Sequence, residues 1–317
     1  MKRICSLLLT VPFALQISGQ RIENVPFGDF EHWSVRYVKE SSIIGGETKE
    51  IHMIAPTDTI YGSKSFDYSK TIWASSNTVA EIMGVVKASA TVWPDKGPSG
   101  TCAKLATKLV SLKAAGLINI KVLAGGSIYW GNVQEPIDGT KNPFSHMDWG
   151  ISFTGRPSAW LLDYRAVIPN TGKLTKANAL RAVQIDGYDP ESAWLILQNR
   201  WEDAEGNIHA RRVGSAFLRI EKSTDGWVRN MRIPMIYGDA RKDPEFKSYM
   251  GLLQGDRQLY AFNSKGEKVP ILEEEWAEAD SKVTHAIMSI TTGSQDAFVG
   301  AVDNVLWVDN IRLEYPE

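Results

Sequence analysis

Cysteine is nearly absent from this chain of 317 residues, which contains only Cys5 and Cys102. Cys5 lies in an N-terminal segment that we expect to be removed, so the mature chain would keep one thiol and could form no internal disulfide. The fold must therefore be stabilised by an apolar core, for which a chain of this length is sufficient. A bacterial periplasm or cell surface fits this composition better than a eukaryotic secretory route, where small exported domains are usually rich in disulfides.

An excess of positive charge is also lacking, since 35 Lys and Arg stand against 37 Asp and Glu, a formal net charge of −2. Removing a signal peptide that carries Lys2 and Arg3 would leave 33 basic and 37 acidic residues, a net charge of −4. Nucleic-acid binding depends on basic patches that neutralise phosphates, and the sequence has neither a basic excess nor a basic stripe. We therefore expect no nucleic-acid partner.

Long apolar runs are limited to the N terminus, where Ile4 to Ile17 follow two basic residues. This order is typical of a secretory signal peptide, and the run is shorter than the roughly 20 apolar residues that cross a bilayer. The small residues Ser18 and Gly19 place the cleavage after Gly19, so residues 1–19 are the predicted signal. No cysteine stands immediately after the apolar run, so we expect neither a lipid anchor nor membrane insertion. The predicted location is the periplasm or the cell surface.

Helical periodicity is scarce, and the best windows, Cys102 to Ala115 and Glu273 to Lys282, are short. Alternating apolar and polar residues recur instead. Ala193 to Trp201 and Ile208 to Phe217 alternate on either side of a polar turn, which predicts a β-hairpin. Further strand candidates are Ile118 to Ala124, Trp160 to Ile168, Ala216 to Glu221, Val228 to Tyr237, Ala286 to Thr291 and Val305 to Tyr315.

Strands this numerous favour an all-β fold, a two-sheet β-sandwich of the jelly-roll type with few short helices. The loops between them are too short to be interdomain linkers, and no change of composition follows them. Residues 20–317 are therefore predicted to form a single domain.

Common catalytic motifs are missing, including the nucleophile elbow, the phosphate loop, the metalloprotease histidine pair and Cys/His metal spacings. Glycoside hydrolysis needs two carboxylates about 5 to 10 Å apart across a cleft. Acidic residues cluster at 273–275 and 202–205, but exposed turns are rich in acidic residues for hydration alone. The favoured interpretation of both clusters is a solvated charge run, with hydrolysis as the alternative. Asp186, Asp189 and Glu191, in another polar loop, are interpreted in the same way.

Tryptophan is abundant, with eleven residues. Sugar rings stack their C–H faces on flat aromatic surfaces, although Trp also fills the cores of sandwiches. Trp130, next to Tyr129 and flanked by glycine, is the leading candidate for an exposed glycan-binding ring. The other Trp residues beside turns are Trp73, Trp93, Trp149 and Trp201. Those in strand-like runs, expected in the core, are Trp194, Trp227 and Trp307.

The two ends of the predicted domain each carry an acidic residue, Glu31 within 27–33 and Asp309 within 306–313. These ends resemble those of jelly-roll carbohydrate-binding modules and galactose-binding-like relatives, in which the first and last strands lie side by side and often hold a structural calcium. Glu31 and Asp309 would then supply two of the about six to eight oxygens that calcium prefers, and loop carbonyls would supply others. Asp29 is a further candidate ligand. The alternative is a metal-free corner in which the carboxylates accept backbone N–H groups.

Residues 150–159, Gly-Ile-Ser-Phe-Thr-Gly-Arg-Pro-Ser-Ala, look like the hallmark of the PCMD family ("putative carbohydrate metabolism domain") of secreted Bacteroidetes proteins. The chain departs from that family at Trp160 to Arg165, which is more apolar, and at Ala301 to Asn304. The resemblance implies a jelly roll in a glycan context and does not imply an enzyme. Further blocks that resemble the family, in the same order, are 27–33, 71–77, 100–108, 123–131, 227–237 and 284–315.

Export, acidic charge, turn-adjacent Trp and this resemblance together favour a non-catalytic glycan-binding accessory protein of a polysaccharide-utilisation system. Its partners would be a polysaccharide or oligosaccharide and other outer-membrane proteins of such a system. The alternatives are a glycoside hydrolase of jelly-roll type and a cell-surface structural or adhesin protein. Arg156, between Gly155 and Pro157, is expected to direct its guanidinium into loop carbonyls and carboxylates, with ligand binding as the alternative.

Overall fold

The computed structural model describes residues 20–62, 64–114, 118–139, 143–177 and 181–316. The predicted signal peptide, residues 1–19, lies outside the described residues. Within the described ranges, no helix is long and apolar enough to cross a membrane.

The chain forms β-strands joined by loops and short 3-10 helices. The strands are β1 (Arg21–Asn24), β2 (Trp33–Lys39), β3 (Thr48–Ile54), β4 (Asp58–Tyr61), β5 (Trp73–Ser75), β6 (Thr78–Ile82), β7 (Val85–Ser89), β8 (Val92–Lys96), β9 (Thr101–Ala106), β10 (Lys108–Ala114), β11 (Ile118–Ala124), β12 (Ser127–Val133), β13 (Met147–Trp149), β14 (Ile151–Ser152), β15 (Ala159–Val167), β16 (Lys173–Ala177), β17 (Ala182–Asp186), β18 (Glu191–Glu202), β19 (Ile208–Ile220), β20 (Val228–Pro234), β21 (Ile236–Tyr237), β22 (Tyr260–Phe262), β23 (Lys268–Trp276), β24 (His285–Thr291), β25 (Val299–Gly300) and β26 (Val305–Tyr315). The 3-10 helices are Ser42–Ile44, Tyr68–Lys70, Pro143–His146, Ala240–Lys242, Ser248–Met250 and Gly255–Arg257.

Two large sheets form the body of the protein. The six-stranded sheet has the order β20-β15-β26-β9-β8, with β1 against β26. The ten-stranded sheet has the order β13-β12-β24-β18-β19-β23-β22, with β5 on β12, β14 on β24 and β21 on β19. Smaller sheets are β3-β2-β4, β6-β7, β10-β11 and β17-β16-β25. This architecture confirms the predicted all-β sandwich with few short helices.

The main core lies between the two large sheets. Ala193, Leu195 and Leu197 of β18 belong to one buried cluster with Leu306 and Val308 of β26. Successive side chains of a strand point to opposite faces, so the alternate residues of β18 lie on the other side of its sheet. Burying each Leu or Ile side chain contributes about 1.5 to 3 kcal/mol, which favours this one register over a slipped one.

A second buried cluster covers the opposite face of the ten-stranded sheet. It contains Tyr129, Ile196 and Ile287 of the sheet together with Leu259 and Ala261 from the segment that precedes β23. The ten-stranded sheet is therefore apolar on both faces. Part of the face that points away from the main core is open to solvent.

Neither of the two windows with the best helical periodicity forms a helix in the described residues. Strands β9 and β10 span Cys102 to Ala114, and β23 covers Glu273 to Trp276. Pairing of β9 with β8 and β26, and of β23 with β19, supplies ladder hydrogen bonds that override a weak local pattern. The predicted hairpin is confirmed, because β18 and β19 pair along their whole length.

Candidate functional site

A cleft of about 400 Å³ lies on the face of the ten-stranded sheet that points away from the main core. Strands β12, β24, β18 and β19 form its floor, and the loops 249–259 and 293–300 line its sides. Concave sites of this size, lined by aromatic side chains and a few polar groups, are the usual form of a small-ligand site.

Strand register arranges the floor in two parallel rows. The first row is polar, because Thr291 pairs with both Ser127 and Ser192, and Ser192 pairs in turn with Arg219. The second row lies two residues further along each strand and runs from Ser289 through Trp194 to Phe217. A row of hydroxyls therefore lies beside a row of rings on the same face of the sheet. The residues of the two rows are Ser127, Thr291, Ser192, Arg219, Ser289, Trp194 and Phe217.

The rings continue beyond the floor as a chain of aromatic contacts. The Trp149 ring lies 4.4 Å from that of Tyr129 and 6.2 Å from that of Trp194, with 21° between the two indole planes. The Trp194 and Phe217 centroids are 6.5 Å apart, and Phe217 meets Tyr249 edge-on at 6.2 Å. Trp194, Phe217 and Tyr249 are half-buried, and the rings of Trp149, Trp194 and Phe217, inclined by only 21° and 31° in turn, offer an apolar surface to the cleft.

The loop that carries Tyr249 is attached to the sheet by Glu273. One carboxylate oxygen accepts the Leu253 N–H at 2.7 Å, and the Glu273 carbonyl accepts Gln254 Nε2 at 2.7 Å. Burial is the largest single effect on Glu273 and opposes its ionisation, but the charge of Arg212 and the hydrogen bonds from Arg212, Leu253 and Gln198 together outweigh it and lower the pKa of the carboxyl. Glu273 is therefore buried and paired with Arg212. The expectation that it belongs to a solvated charge run was wrong.

The opposite loop is attached by Asp189, which is 2% exposed. Its carboxylate accepts the N–H groups of Ser294 at 2.7 Å and Ala301 at 3.1 Å. Burial raises the pKa of Asp189 in spite of these bonds. A β-carbon on Gly293 or Gly300 would lie 2.6 Å or 2.8 Å from Asp189 Oδ2, so both positions require glycine. The solvated setting expected for Asp189 was also wrong.

The acidic clusters of the sequence do not face each other across the cleft in the described ranges. Glu202 accepts Ser264 hydrogen bonds, Asp203 and Glu274 both contact His209, and Glu275 pairs with Arg211. The exposed carboxylates of the cleft lining are instead Asp256 and Asp296.

The exposure expected for Trp130 was wrong. Trp130 and Trp73 are each 1% exposed, and their rings meet at 6.1 Å within the main core. Strand pairing places Trp130 opposite Trp73 and turns both rings towards the six-stranded sheet. Tyr129, on the other face, is fully buried beneath Trp149. A ring without exposed surface offers nothing for a sugar to stack on.

Two other tryptophans of the prediction reach the surface in different places. Trp149 is only 5% exposed but lines the cleft. Trp201 is 39% exposed at the end of the β18–β19 hairpin, where it stacks on His209 at 5.4 Å and 11°. Trp194 was expected in the core and lies instead in the cleft, because it has the opposite parity on β18 from Leu195.

Trp307 was also expected in the core, and it lies on the outward face of the six-stranded sheet. Lys104 and Arg165 cover its ring at 5.3 Å and 4.8 Å from the centroid. Trp93 has a similar setting beneath Lys108 at 3.9 Å. Cations cover both of these rings, which leaves less open aromatic surface here than in the cleft.

Arg156 donates to two loop carbonyls, Ser281 O at 2.7 Å and Ala279 O, and lies over the ring of Tyr237 at 4.5 Å. It lies outside the cleft lining. These are the contacts that its predicted structural role requires.

Glu31 and Asp309 lie against the same turn, which is closed by a 2.8 Å hydrogen bond from Gly97 N to Gly100 O. A β-carbon on Gly97 would lie 3.2 Å from Asp309 Oδ2, and one on Gly100 would lie 2.0 Å from Glu31 Oε1. One oxygen of each carboxylate accepts a backbone N–H, from Thr101 to Glu31 and from Asn310 to Asp309.

Asp309 Oδ2 is buried and has no hydrogen-bond donor. Burial, followed by the charges of Asp163 and Glu31, raises the pKa of Asp309 to about 7. An orphaned oxygen among like charges is the setting that a cation relieves. No group of three or more His, Cys, Asp or Glu that could hold a metal is found in the described part of the chain. The donor set nevertheless fits calcium, which accepts backbone carbonyls and water beside two carboxylates.

Comparisons with known proteins identify the fold and no family. No protein family matches the chain, and no curated protein matches it. A structure described as a "putative glycoside hydrolase" from Bacteroides vulgatus is 11% identical with a TM-score of 0.51, over 93% of this chain and 98% of that one. Another of the same description, from Bacteroides thetaiotaomicron, is 15% identical with a TM-score of 0.47, over 86% and 76% of the two chains. The first likeness supports the β-rich fold, and membership of the PCMD family stays a prediction.

Proposed function

We propose that this protein binds glycans in the cleft of its ten-stranded sheet, as a secreted accessory protein of a polysaccharide-utilisation system. The observation that carries the proposal is the half-buried ring of Trp194, packed between Trp149 and Phe217 and open to the cleft. A pyranose ring stacks its C–H face on such a surface. Its hydroxyls would then bond to the adjacent Ser192 and Thr291.

We propose binding without catalysis as the form of this function. Asp189, the buried carboxylate of the cleft, is occupied by backbone donors that hold a loop. Hydrolysis is the second candidate, because Asp256 and Asp296 line the cleft and are exposed. The description of the Bacteroides vulgatus structure also supports it.

Titration calorimetry against a panel of plant and host polysaccharides tests the proposal. Trp194→Ala should weaken binding by about tenfold or more, since it removes one large stacking surface. Trp201→Ala is the matched control, because Trp201 lies on the same strand but outside the cleft. A panel with no bound member, or equal binding by wild type and Trp194→Ala, would remove the proposal. Release of reducing ends that is lost in Asp256→Asn or Asp296→Asn would favour hydrolysis.

We also propose that calcium binds between Glu31 and Asp309. The ion would neutralise the unpartnered oxygen of Asp309 and join the loop after β1 to the last strand, β26. Two observations support this proposal: both carboxylates lie against the same turn, and the pKa of Asp309 is raised. Each carboxylate would supply one or more oxygens to the ion. The alternative, a corner closed by N–H groups alone, leaves Asp309 Oδ2 without a partner.

A further inference from the structure

Among the described residues, Arg219 is the arginine that lies on the floor of the cleft. It extends from β19 in the polar row, beside Ser192, and is half-buried. Its guanidinium carbon lies 4.2 Å from the centroid of the Tyr249 ring. Burial lowers the pKa of Arg219, and the opposing effects of Tyr249, Asp189 and Glu221 do not cancel it.

Three other shielded arginines have carboxylate partners, whereas Arg200 donates to Gln198 Oε1 and to the Trp149 carbonyl. Arg212 pairs with Glu273, Arg36 pairs with Glu135, and Arg312 approaches Asp163. Ion pairs are formed at N–O distances of up to 4.0 Å. Among the described residues, Arg219 forms no such pair with a carboxylate.

Two other charged groups of the cleft lining, Asp189 and Arg257, have partners of their own, whereas Asp256 and Asp296 are exposed. Asp189 is occupied by N–H groups of the 293–300 loop. The Arg257 guanidinium donates to the carbonyls of Tyr249 at 3.1 Å and Leu252 at 2.7 Å. Arg219 therefore presents a cation that is partly removed from water and has no anionic partner, an arrangement that a bound anion stabilises.

The spacing on the floor matches a sugar acid. Arg219 and Phe217 lie two residues apart on β19, about 7 Å along the strand, and Phe217 pairs with Trp194. The exocyclic group of a pyranose stacked on the Trp194 ring would extend from the ring edge into this interval. A planar guanidinium binds a carboxylate in a two-point geometry that a hydroxymethyl group cannot provide.

We infer that the cleft selects an acidic glycan, with Arg219 binding the carboxylate of a uronic-acid residue stacked on the Trp194 platform. This inference rests on the proposed glycan binding and names its substrate class. The chain has a formal net charge of −2, so a polyanion would not be attracted by its overall field. Tighter binding of the acid than of the neutral sugar would therefore come from contacts within the cleft.

The test is calorimetric titration with short oligogalacturonates and oligoglucuronates and with their methyl esters, which keep the ring and lose the charge. Wild type should bind the acids about ten- to a hundredfold more tightly than the esters, the usual value of a charged hydrogen-bonded contact. Arg219→Gln should bind acid and ester alike, and Arg219→Lys should recover part of the preference. Arg211→Gln, which changes an exposed arginine outside the cleft, should leave the preference unchanged.

Two sets of results separate this inference from the proposed function. Equal binding of acid and ester by wild type, with no effect of Arg219→Gln while Trp194→Ala still weakens binding, would overturn the acidic-glycan inference alone. Tighter binding of sulfated neutral sugars than of uronates would overturn the assignment of the carboxylate. Absence of binding to every glycan would remove both proposals. Thermal melting of each variant shows that the losses do not come from unfolding.

Discussion

Arg212 and Glu273 form a two-point ion pair buried beneath the wall of the cleft, with Nε to Oε1 at 2.6 Å and Nη2 to Oε2 at 2.5 Å. Both side chains are at most 1% exposed. The same carboxylate also holds the loop that carries Tyr249, through the Leu253 N–H. The pair therefore connects the stability of the sheet to the shape of the cleft.

Replacing Glu273 should be costly. Glu273→Gln leaves the Arg212 charge buried without a counter-charge, and we expect a loss of about 3 to 5 kcal/mol in the free energy of unfolding. Urea denaturation measures this loss. The matched control is Glu275→Gln on the same strand, whose pair with Arg211 is exposed and should contribute no more than about 1 kcal/mol. Equal losses in the two variants would contradict this interpretation of the buried pair.

Chelation should lower the melting temperature if calcium joins Glu31 and Asp309. A ligand that binds only the folded state stabilises it by mass action, so added calcium should restore the melting temperature after EDTA treatment. Glu31→Gln and Asp309→Asn should melt at the same temperature with and without the ion. A wild-type melting temperature that responds to neither chelator nor calcium would instead support the corner closed by N–H groups.

Glu191 should make the protein less stable as the pH rises. It is fully buried, both of its oxygens lack a donor, and burial followed by the charge of Asp189 raises its pKa to about 9. The folded state therefore holds a proton that the unfolded state has lost, so stability falls between the ordinary pKa of 4.5 and about 9. Glu191→Gln should flatten the plot of unfolding free energy against pH across this window. Asp186→Asn, at an exposed carboxylate, is the control, and an unchanged slope in Glu191→Gln would contradict the prediction.

Arg156→Ala should lower stability rather than glycan affinity. The change removes charged hydrogen bonds to the Ser281 and Ala279 carbonyls, each worth about 1.5 to 3 kcal/mol. Thermal unfolding measures the loss, and Arg156→Lys, which keeps the charge, should recover part of it. An unchanged melting temperature together with lost sugar binding would place Arg156 in a ligand site.

The sequence predicted the site less well than the fold, and Trp130 and Trp194 show why. Both lie in alternating segments, and alternation assigns neighbouring residues to opposite faces of a sheet. It does not say which face is covered. Trp130 points to the main core because β12 pairs with β5 and β24, whereas Trp194 points to the open cleft on the other side of the same sheet.

The acidic run 273–275 shows the same limit of local sequence patterns. Glu273, Glu274 and Glu275 are adjacent and chemically identical in the sequence, yet Glu273 is buried against Arg212 while its neighbours contact His209 and Arg211 at the surface. No signal within the run distinguishes them. Arg212, the partner that decides the setting of Glu273, lies 61 positions away in the chain.

By itself the sequence determined an all-β sandwich and the β18–β19 hairpin, because period-two alternation and turn residues act over a few neighbours. Only the tertiary structure decided which rings line the cleft, which carboxylates are buried and that Arg219 faces the cleft without a carboxylate partner among the described residues. Those properties depend on contacts between strands that are far apart in the chain, and the free energy of burying a ring or a charge is set by those contacts rather than by the local pattern.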